Sequence, residues 1–154
     1  RPEARSPVGA SGLMQLMPAT ARRTAQQLGE PTPAPADLLQ PETSIRLGGA
    51  HLAELLERYD GHRLKALAAY NAGSRHLERW LPEKPLPVDV WIERISFRET
   101  RHYVQAVLAY RLIFALLHDE SSDQRRVALL APEEAGLIRP VPATADTDRQ
   151  LSQR

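Results

Sequence analysis

Three short segments of the sequence carry side chains that could bind or process a sugar. In the first, Ser6–Pro18, a glycine-rich turn precedes four large apolar side chains that surround one amide, Gln15. In the second, Ala68–Gly73, small residues flank a Tyr–Asn pair and leave room for a ligand. A tyrosine hydroxyl beside an asparagine amide offers donors and acceptors for sugar hydroxyls and N-acetyl groups. The third, Glu99–Tyr103, combines a carboxylate with basic and aromatic side chains.

Each segment also has a purely structural interpretation. Gln15 could be a surface glutamine or a hydrogen-bonded core amide. Asn71 and Gly73 are typical of a helix C-terminus. Glu99 follows Ser96 by three residues, the S-x-x-E spacing of a capping box, so it could serve only its own helix. The residues by themselves leave both interpretations open.

Composition excludes several classes of function. The chain has 154 residues with 20 Lys and Arg against 19 Asp and Glu, so no strong field favours nucleic acid. It has no cysteine, and its five histidines lack the H-x₃-H or H-E-x-x-H spacing of zinc sites. No nucleophile elbow, phosphate-binding loop or dinucleotide fingerprint occurs. No apolar run reaches the roughly 18–20 residues of a membrane span, and no signal peptide is evident at Arg1.

The elements that must position these segments are predicted to be helices. Strand-type alternation is absent, whereas Ala, Leu, Arg, Glu and Gln recur at helical spacing, so the chain is predicted to be all-α. Thr43 or Ser44 could cap one helix. The predicted helices are Ser11–Met17, Pro18–Leu28, one from Thr43 or Ser44 to Tyr59, Arg63–Asn71, Ser74–Leu81, Val88–Ile95 and Arg98–Leu117.

Prolines and an apolar stripe define the remaining organisation. Residues 30–42 contain four prolines and are predicted to form a surface connection. The last helix carries an apolar stripe that predicts a central core helix. Residues 1–117 are therefore expected to form one domain. Residues 118–154 are expected to be an extension that is partly disordered, from about Arg139 onward.

The three segments together resemble the catalytic domain of the soluble lytic murein transglycosylases, the SLT family of the lysozyme-like superfamily. The motifs occur in the order typical of that family over roughly residues 1–115. They read S-P-V-G-A-S-G-L-M-Q-L-M-P-A-T-A at Ser6–Ala21, A-A-Y-N-A-G at Ala68–Gly73 and E-T-R-x-Y-V at Glu99–Val104.

This resemblance implies a goose-type lysozyme fold whose groove holds the glycan strand of peptidoglycan. It also implies non-hydrolytic cleavage of the β-1,4 bond between N-acetylmuramic acid and N-acetylglucosamine, which leaves a 1,6-anhydro end. Such a reaction needs one glutamic acid. In the family this residue belongs to an E-S-x-F/W-x-P motif whose closing proline matches Pro2, so we expect it about four residues before Arg1 and nominate no catalytic acid within the chain.

The resemblance assigns roles to eight residues of this chain. Two would support or position the catalytic carboxyl, and the others would line the sugar and peptide subsites. The supporting pair is Ser6 and Tyr70; the subsite residues are Gln15, Met17, Ala69, Asn71, Glu99 and Tyr103.

Three alternatives remain. The domain could be a non-catalytic peptidoglycan-binding module, a structural helical domain without sugar binding, or a hydrolase of the lysozyme type. Peptidoglycan glycan strands are the expected partner, and neither nucleic acid, a metal nor a cofactor is expected. The substrate class implies the periplasm or cell envelope.

Overall fold

The computed structural model describes residues 1–118 and 136–139. These residues form two compact units, Arg1–Gly61 and the part of the chain that begins at His62. The elements are α1 (Pro18–Gln27), a 3₁₀ turn (Asp37–Leu39), α2 (Pro41–Arg58), α3 (Arg63–Ala72), α4 (Ser74–Trp80), β1 (Leu86–Pro87), α5 (Val88–Arg94), α6 (Arg98–His118) and β2 (Leu137–Ile138).

Helices dominate the described residues, as the sequence predicts. Six of the seven predicted helices are observed, with ends that differ by a few residues at most. Proline occupies the first turn of both α1 and α2, where its missing N–H leaves no hydrogen bond unmade. One two-stranded pair was not predicted: β1 pairs with β2 in antiparallel register, Leu86 opposite Ile138.

The predicted helix over Ser11–Met17 is wrong. This segment forms turns closed by two isolated bridges, Arg5 with Ser11 and Ser11 with Leu16. Ser11 and Leu16 exchange both backbone hydrogen bonds at 3.1 Å. Helix is excluded here because Gly12 and Gln15 have φ angles of +78° and +47°, in the left-handed region.

Neither Thr43 nor Ser44 caps α2, which is a second correction. The helix begins at Pro41 after Gln40, and no side chain caps it. The Ser44 hydroxyl, fully buried, instead accepts a hydrogen bond from the backbone N–H of Met14 at 3.0 Å. The side chain therefore attaches the turn segment to α2, within the first unit.

In the second unit, α3 is the central element. Residues 64–69 are buried, and α3 packs against both α4 and α6. α5 packs against α6 and against the β1–β2 pair, where Ile138 is completely buried. The antiparallel pair thus returns the end of the described chain to the start of α5.

The stripe predicted to make α6 a core helix is only partly buried. Val104 is fully buried, but Phe114 and Leu117 are 60 % and 72 % exposed. The N-terminal half of α6 is therefore the part that contributes to the core. The predicted disorder begins at about Arg139, which is described; residues 140–154 lie outside the described residues.

Candidate functional site

Ser6 lies in a small closed loop of the first unit. Its backbone N–H donates to the carbonyl of Ala10 at 2.8 Å, and its Oγ accepts from the N–H of Ala10 at 2.9 Å. Within residues 1–118 and 136–139 the hydroxyl proton of Ser6 donates to no protein atom. The loop therefore holds a hydroxyl in place with its own proton available to an acceptor such as a carboxylate.

The Gln15 side chain is held by the turn from which it projects. Its Nε2 donates to the carbonyl of Gly12 at 2.8 Å and to that of Ala4 at 3.2 Å. Both amide protons are thereby used, and the exposed side chain keeps its Oε1 as an acceptor. A sugar hydroxyl or an N-acetyl N–H is a suitable donor for that oxygen.

Gly12 is the position on which this turn depends. A Cβ added there would lie 1.9 Å from the backbone oxygen of Leu38 and 2.7 Å from Oγ of Ser44. Only glycine permits this approach of the turn to the 3₁₀ segment. Met17 follows as the residue before α1, and its side chain is 40 % exposed, so the thioether reaches solvent.

The second cluster of side chains lies in the second unit and contains Tyr70 and Asn71 of α3 with Thr100 and Tyr103 of α6. Burial raises the pKa of Tyr70 above the usual range, and the nearby phenol of Tyr103 raises it further. Burial also raises the pKa of Tyr103. A phenol is already protonated at neutral pH at its ordinary pKa of about 10, so both side chains can donate hydrogen bonds.

Asn71 is oriented by a residue that the sequence analysis missed. The hydroxyl of Thr100, which is 1 % exposed, donates to Oδ1 of Asn71 at 2.6 Å. With its oxygen engaged, the amide of Asn71 presents Nδ2 as a donor. The E-T-R motif contains Thr100, but nothing in one sequence indicates that its partner lies 29 residues earlier.

The remaining two predicted residues of the second unit differ in accessibility. Ala69 is only 2 % exposed, so its side chain is almost wholly buried. Glu99 is exposed in the first turn of α6. The structure thus brings Tyr70 and Tyr103 near each other and Asn71 into contact with the first turn of α6.

A separate polar network lies in the first unit. Buried His51 contacts Oε2 of Glu54 at 3.2 Å through Nδ1, and Arg58 donates to the same carboxylate at 3.0 Å. Burial lowers the pKa of His51 despite the adjacent carboxylate.

Among the described residues, no group of three or more His, Asp or Glu side chains could hold a metal ion. Over the same residues, no helix has the length and apolar character needed to cross a membrane.

Comparison with known proteins identifies the family. The profile of the transglycosylase SLT domain matches residues 1–85, and that of the soluble lytic transglycosylase helical domain matches residues 94–122. The soluble lytic murein transglycosylase of Salmonella typhimurium is 44 % identical over 112 residues, which are 71 % of this chain and 17 % of that protein.

Two solved structures are similar over nearly the whole chain. An inactive Glu-to-Gln mutant of the lytic transglycosylase Slt from Pseudomonas aeruginosa has a TM-score of 0.79 and 40 % identity, covering 91 % of this chain and 22 % of that one. The 70 kDa soluble lytic transglycosylase of Escherichia coli has a TM-score of 0.78 and 36 % identity, covering 89 % and 22 %.

The fold is therefore a lysozyme-like helical fold, as the resemblance implies. The chain belongs to the transglycosylase SLT domain family, whose profile matches more than half of it. It spans about one sixth of the length of the Salmonella relative, 17 %.

Proposed function

We propose that this chain is part of a peptidoglycan lytic transglycosylase, with the SLT domain in residues 1–117. The enzyme would cleave the β-1,4 bond between N-acetylmuramic acid and N-acetylglucosamine and leave 1,6-anhydro ends. The observation that carries this proposal is the second cluster, in a chain of this family. There Tyr70 and Tyr103 keep their protons, and Asn71 is oriented by Thr100. Hydroxyl and amide groups held in this way suit an uncharged, hydroxyl-rich ligand.

The proposed reaction needs a single carboxyl group. As an acid it protonates the glycosidic oxygen, so that the bond to the anomeric carbon breaks. As a carboxylate it then takes the proton of the sugar's own C6 hydroxyl, whose oxygen bonds to the anomeric carbon. We propose that this group is a glutamic acid that precedes Arg1 in the natural protein. The Pseudomonas relative, inactive as a Glu-to-Gln mutant, supports this assignment.

Residues of this chain would support that carboxyl and bind the glycan. The available proton of Ser6 would donate to the carboxylate form, and the protonated phenol of Tyr70 would position the group. Gln15 would accept from a sugar through Oε1, and Asn71 would donate through Nδ2. Met17, Ala69, Glu99 and Tyr103 remain proposed members of the sugar and peptide subsites. Because the substrate is cell wall, we infer an envelope location, and a periplasmic one in particular.

Digestion of purified peptidoglycan tests the reaction. The natural polypeptide, including the residues before Arg1, should release muropeptides with 1,6-anhydro ends in mass spectrometry, and replacing the preceding Glu with Gln should abolish that release. Hydrolysed reducing ends would instead identify a lysozyme-type hydrolase. If the natural protein binds chitotetraose but releases nothing, it is a non-catalytic glycan-binding module, and the lyase assignment is wrong.

A further inference from the structure

A cavity of about 510 Å³ lies in the second unit, where α4 continues into the connection that leads to β1 and α5. Trp80 and Trp91 line it, and they are the two tryptophans of the chain. The proposed function uses neither of them. The cavity is therefore a second candidate binding site, apart from the tyrosines and Asn71.

Positive charge predominates around this cavity. Arg79, Lys84 and Arg94 line it together with one carboxylate, Glu83. All four side chains are exposed, and within the described part of the chain none of them forms an ion pair. Three cations against one carboxylate give the lining a net positive charge, which favours an anionic ligand. Guanidinium groups bind carboxylates with particularly good geometry, through two parallel hydrogen bonds.

The wall of the cavity is held in place before any ligand binds. Trp91, which is 1 % exposed, donates from Nε1 to the backbone oxygen of Trp80 at 2.8 Å. The ring of Trp80 meets Phe97 edge-on, with centroids 5.0 Å apart and planes at 78°. Pro82 and Pro85 restrict the backbone of the connection. A site that is already ordered loses less entropy when it binds a ligand.

The cavity is within reach of a substituent on a sugar bound at Asn71. The hydroxyl of Thr100 donates to Asn71. The ring of Phe97, three residues before Thr100, lies 5.0 Å from that of Trp80 at the cavity. Three residues of chain span at most about 10 Å, so roughly that distance separates the two places. An extended peptide covers about 3.3 Å per residue, and three or four residues therefore span that distance.

We propose that this cavity binds the carboxylate groups of the short peptide attached to the muramic acid of peptidoglycan. The inference rests on the proposed function, because it assigns a peptide subsite to the same substrate. Arg79 and Arg94 bind carboxylates, and Lys84 adds to the positive potential. Trp80, which is partly exposed, supplies the apolar wall against which the peptide lies, and buried Trp91 holds it in place.

Intrinsic fluorescence reports directly on the cavity because both tryptophans line it. The 154-residue chain is titrated with three probes: a GlcNAc–MurNAc tetrapeptide, the same compound with its carboxyl groups amidated, and chitotetraose. Isothermal titration calorimetry measures affinity in parallel. The charged glycopeptide should bind about fivefold more tightly than the amidated one, which corresponds to about 1 kcal/mol, the size of a partly exposed ion pair. In 1 M salt this difference should nearly vanish, since the Debye length falls to about 3 Å.

Charge-removing variants locate the effect. Arg79→Gln combined with Arg94→Gln should lower affinity for the charged probe to that for the amidated probe and leave chitotetraose binding unchanged. The matched control is Arg75→Gln, on the same helix and exposed but not lining the cavity; it should bind all three probes like the wild type. These are surface changes, and unchanged thermal unfolding confirms that the variants fold.

Two results overturn the inference and differ in what else they overturn. If chitotetraose binds but the charged and amidated glycopeptides have equal affinities, or if Arg75→Gln matches the double variant, the peptide site alone is wrong. If none of the three probes binds, the proposed glycan-binding function fails, and the peptide site fails with it.

Discussion

The contact between Gly12 and the backbone of Leu38 yields a prediction whose size follows from the structure. In Gly12→Ala the new Cβ would lie 1.9 Å from the Leu38 oxygen, at a φ of +78°. The left-handed conformation costs about 1–2 kcal/mol for a residue with a Cβ. Relieving the clash costs about 1–3 kcal/mol more, as in other overpacked sites. We expect the free energy of unfolding to fall by about 2–5 kcal/mol.

Gly9→Ala is the matched control, because Gly9 has a φ of +95° but nothing within 4 Å of an added Cβ. It should cost only the conformational part, about 1–2 kcal/mol. The difference between the two variants therefore isolates the steric contact with the Leu38 backbone.

Urea unfolding followed by circular dichroism measures both variants. With a slope of about 1–3 kcal/mol per molar urea, the extra loss in Gly12→Ala should lower its midpoint by about 1 M relative to Gly9→Ala. Equal losses in the two variants would refute the close approach of the turn to the 3₁₀ segment. In that case the proposed support of Gln15 by this turn would also lose its basis.

Three further predictions concern the second cluster and the buried histidine. Thr100→Val should weaken chitotetraose binding, measured by calorimetry, about twofold or more, because Asn71 loses the hydrogen bond that orients it. Thr100→Ser keeps the hydroxyl and should bind like the wild type. Equal affinities of the two variants would contradict the role of the hydroxyl. The pKa values of Tyr70 and Tyr103 are raised in the folded state, so the free energy of unfolding should fall as pH rises above about 10. The double Tyr-to-Phe variant should show a smaller fall. If its free energy of unfolding falls with pH as steeply as that of the wild type, the two phenols do not cause the fall. The pKa of His51 is lowered by burial, so below about pH 6.5 the unfolded chain binds more protons than the folded one. The free energy of unfolding should therefore fall as the pH is lowered from 7 to 5. Urea unfolding at these pH values should show a smaller fall for His51→Gln.

Most helices were predictable because their signals are local. Apolar spacing, proline in the first turn and glycine after the last turn involve neighbouring residues only, and they located α1 and α3–α6 to within a few residues. The family resemblance was likewise carried by three contiguous motifs, and the comparison with known proteins confirms it.

The errors arose where distant residues determine the backbone. The apolar run Leu13–Met17 has helical composition, but the bridge between Ser11 and Leu16 and the left-handed Gly12 and Gln15 prevent a helix. Ser44 has the character of a cap, yet its hydroxyl binds the backbone of Met14, 30 residues earlier.

The sequence by itself thus determined the helical class, the family and the three segments that carry the candidate site. The tertiary structure decided how those side chains are presented: that the side-chain oxygen of Asn71 accepts from Thr100, that Oε1 of Gln15 remains an acceptor, and that Ala69 is buried. It alone showed the cavity beside Trp80 and the pairing of β1 with β2. The physical reason is that helix signals act over three or four residues, whereas hydrogen bonds, burial and cavities depend on residues that only folding brings together.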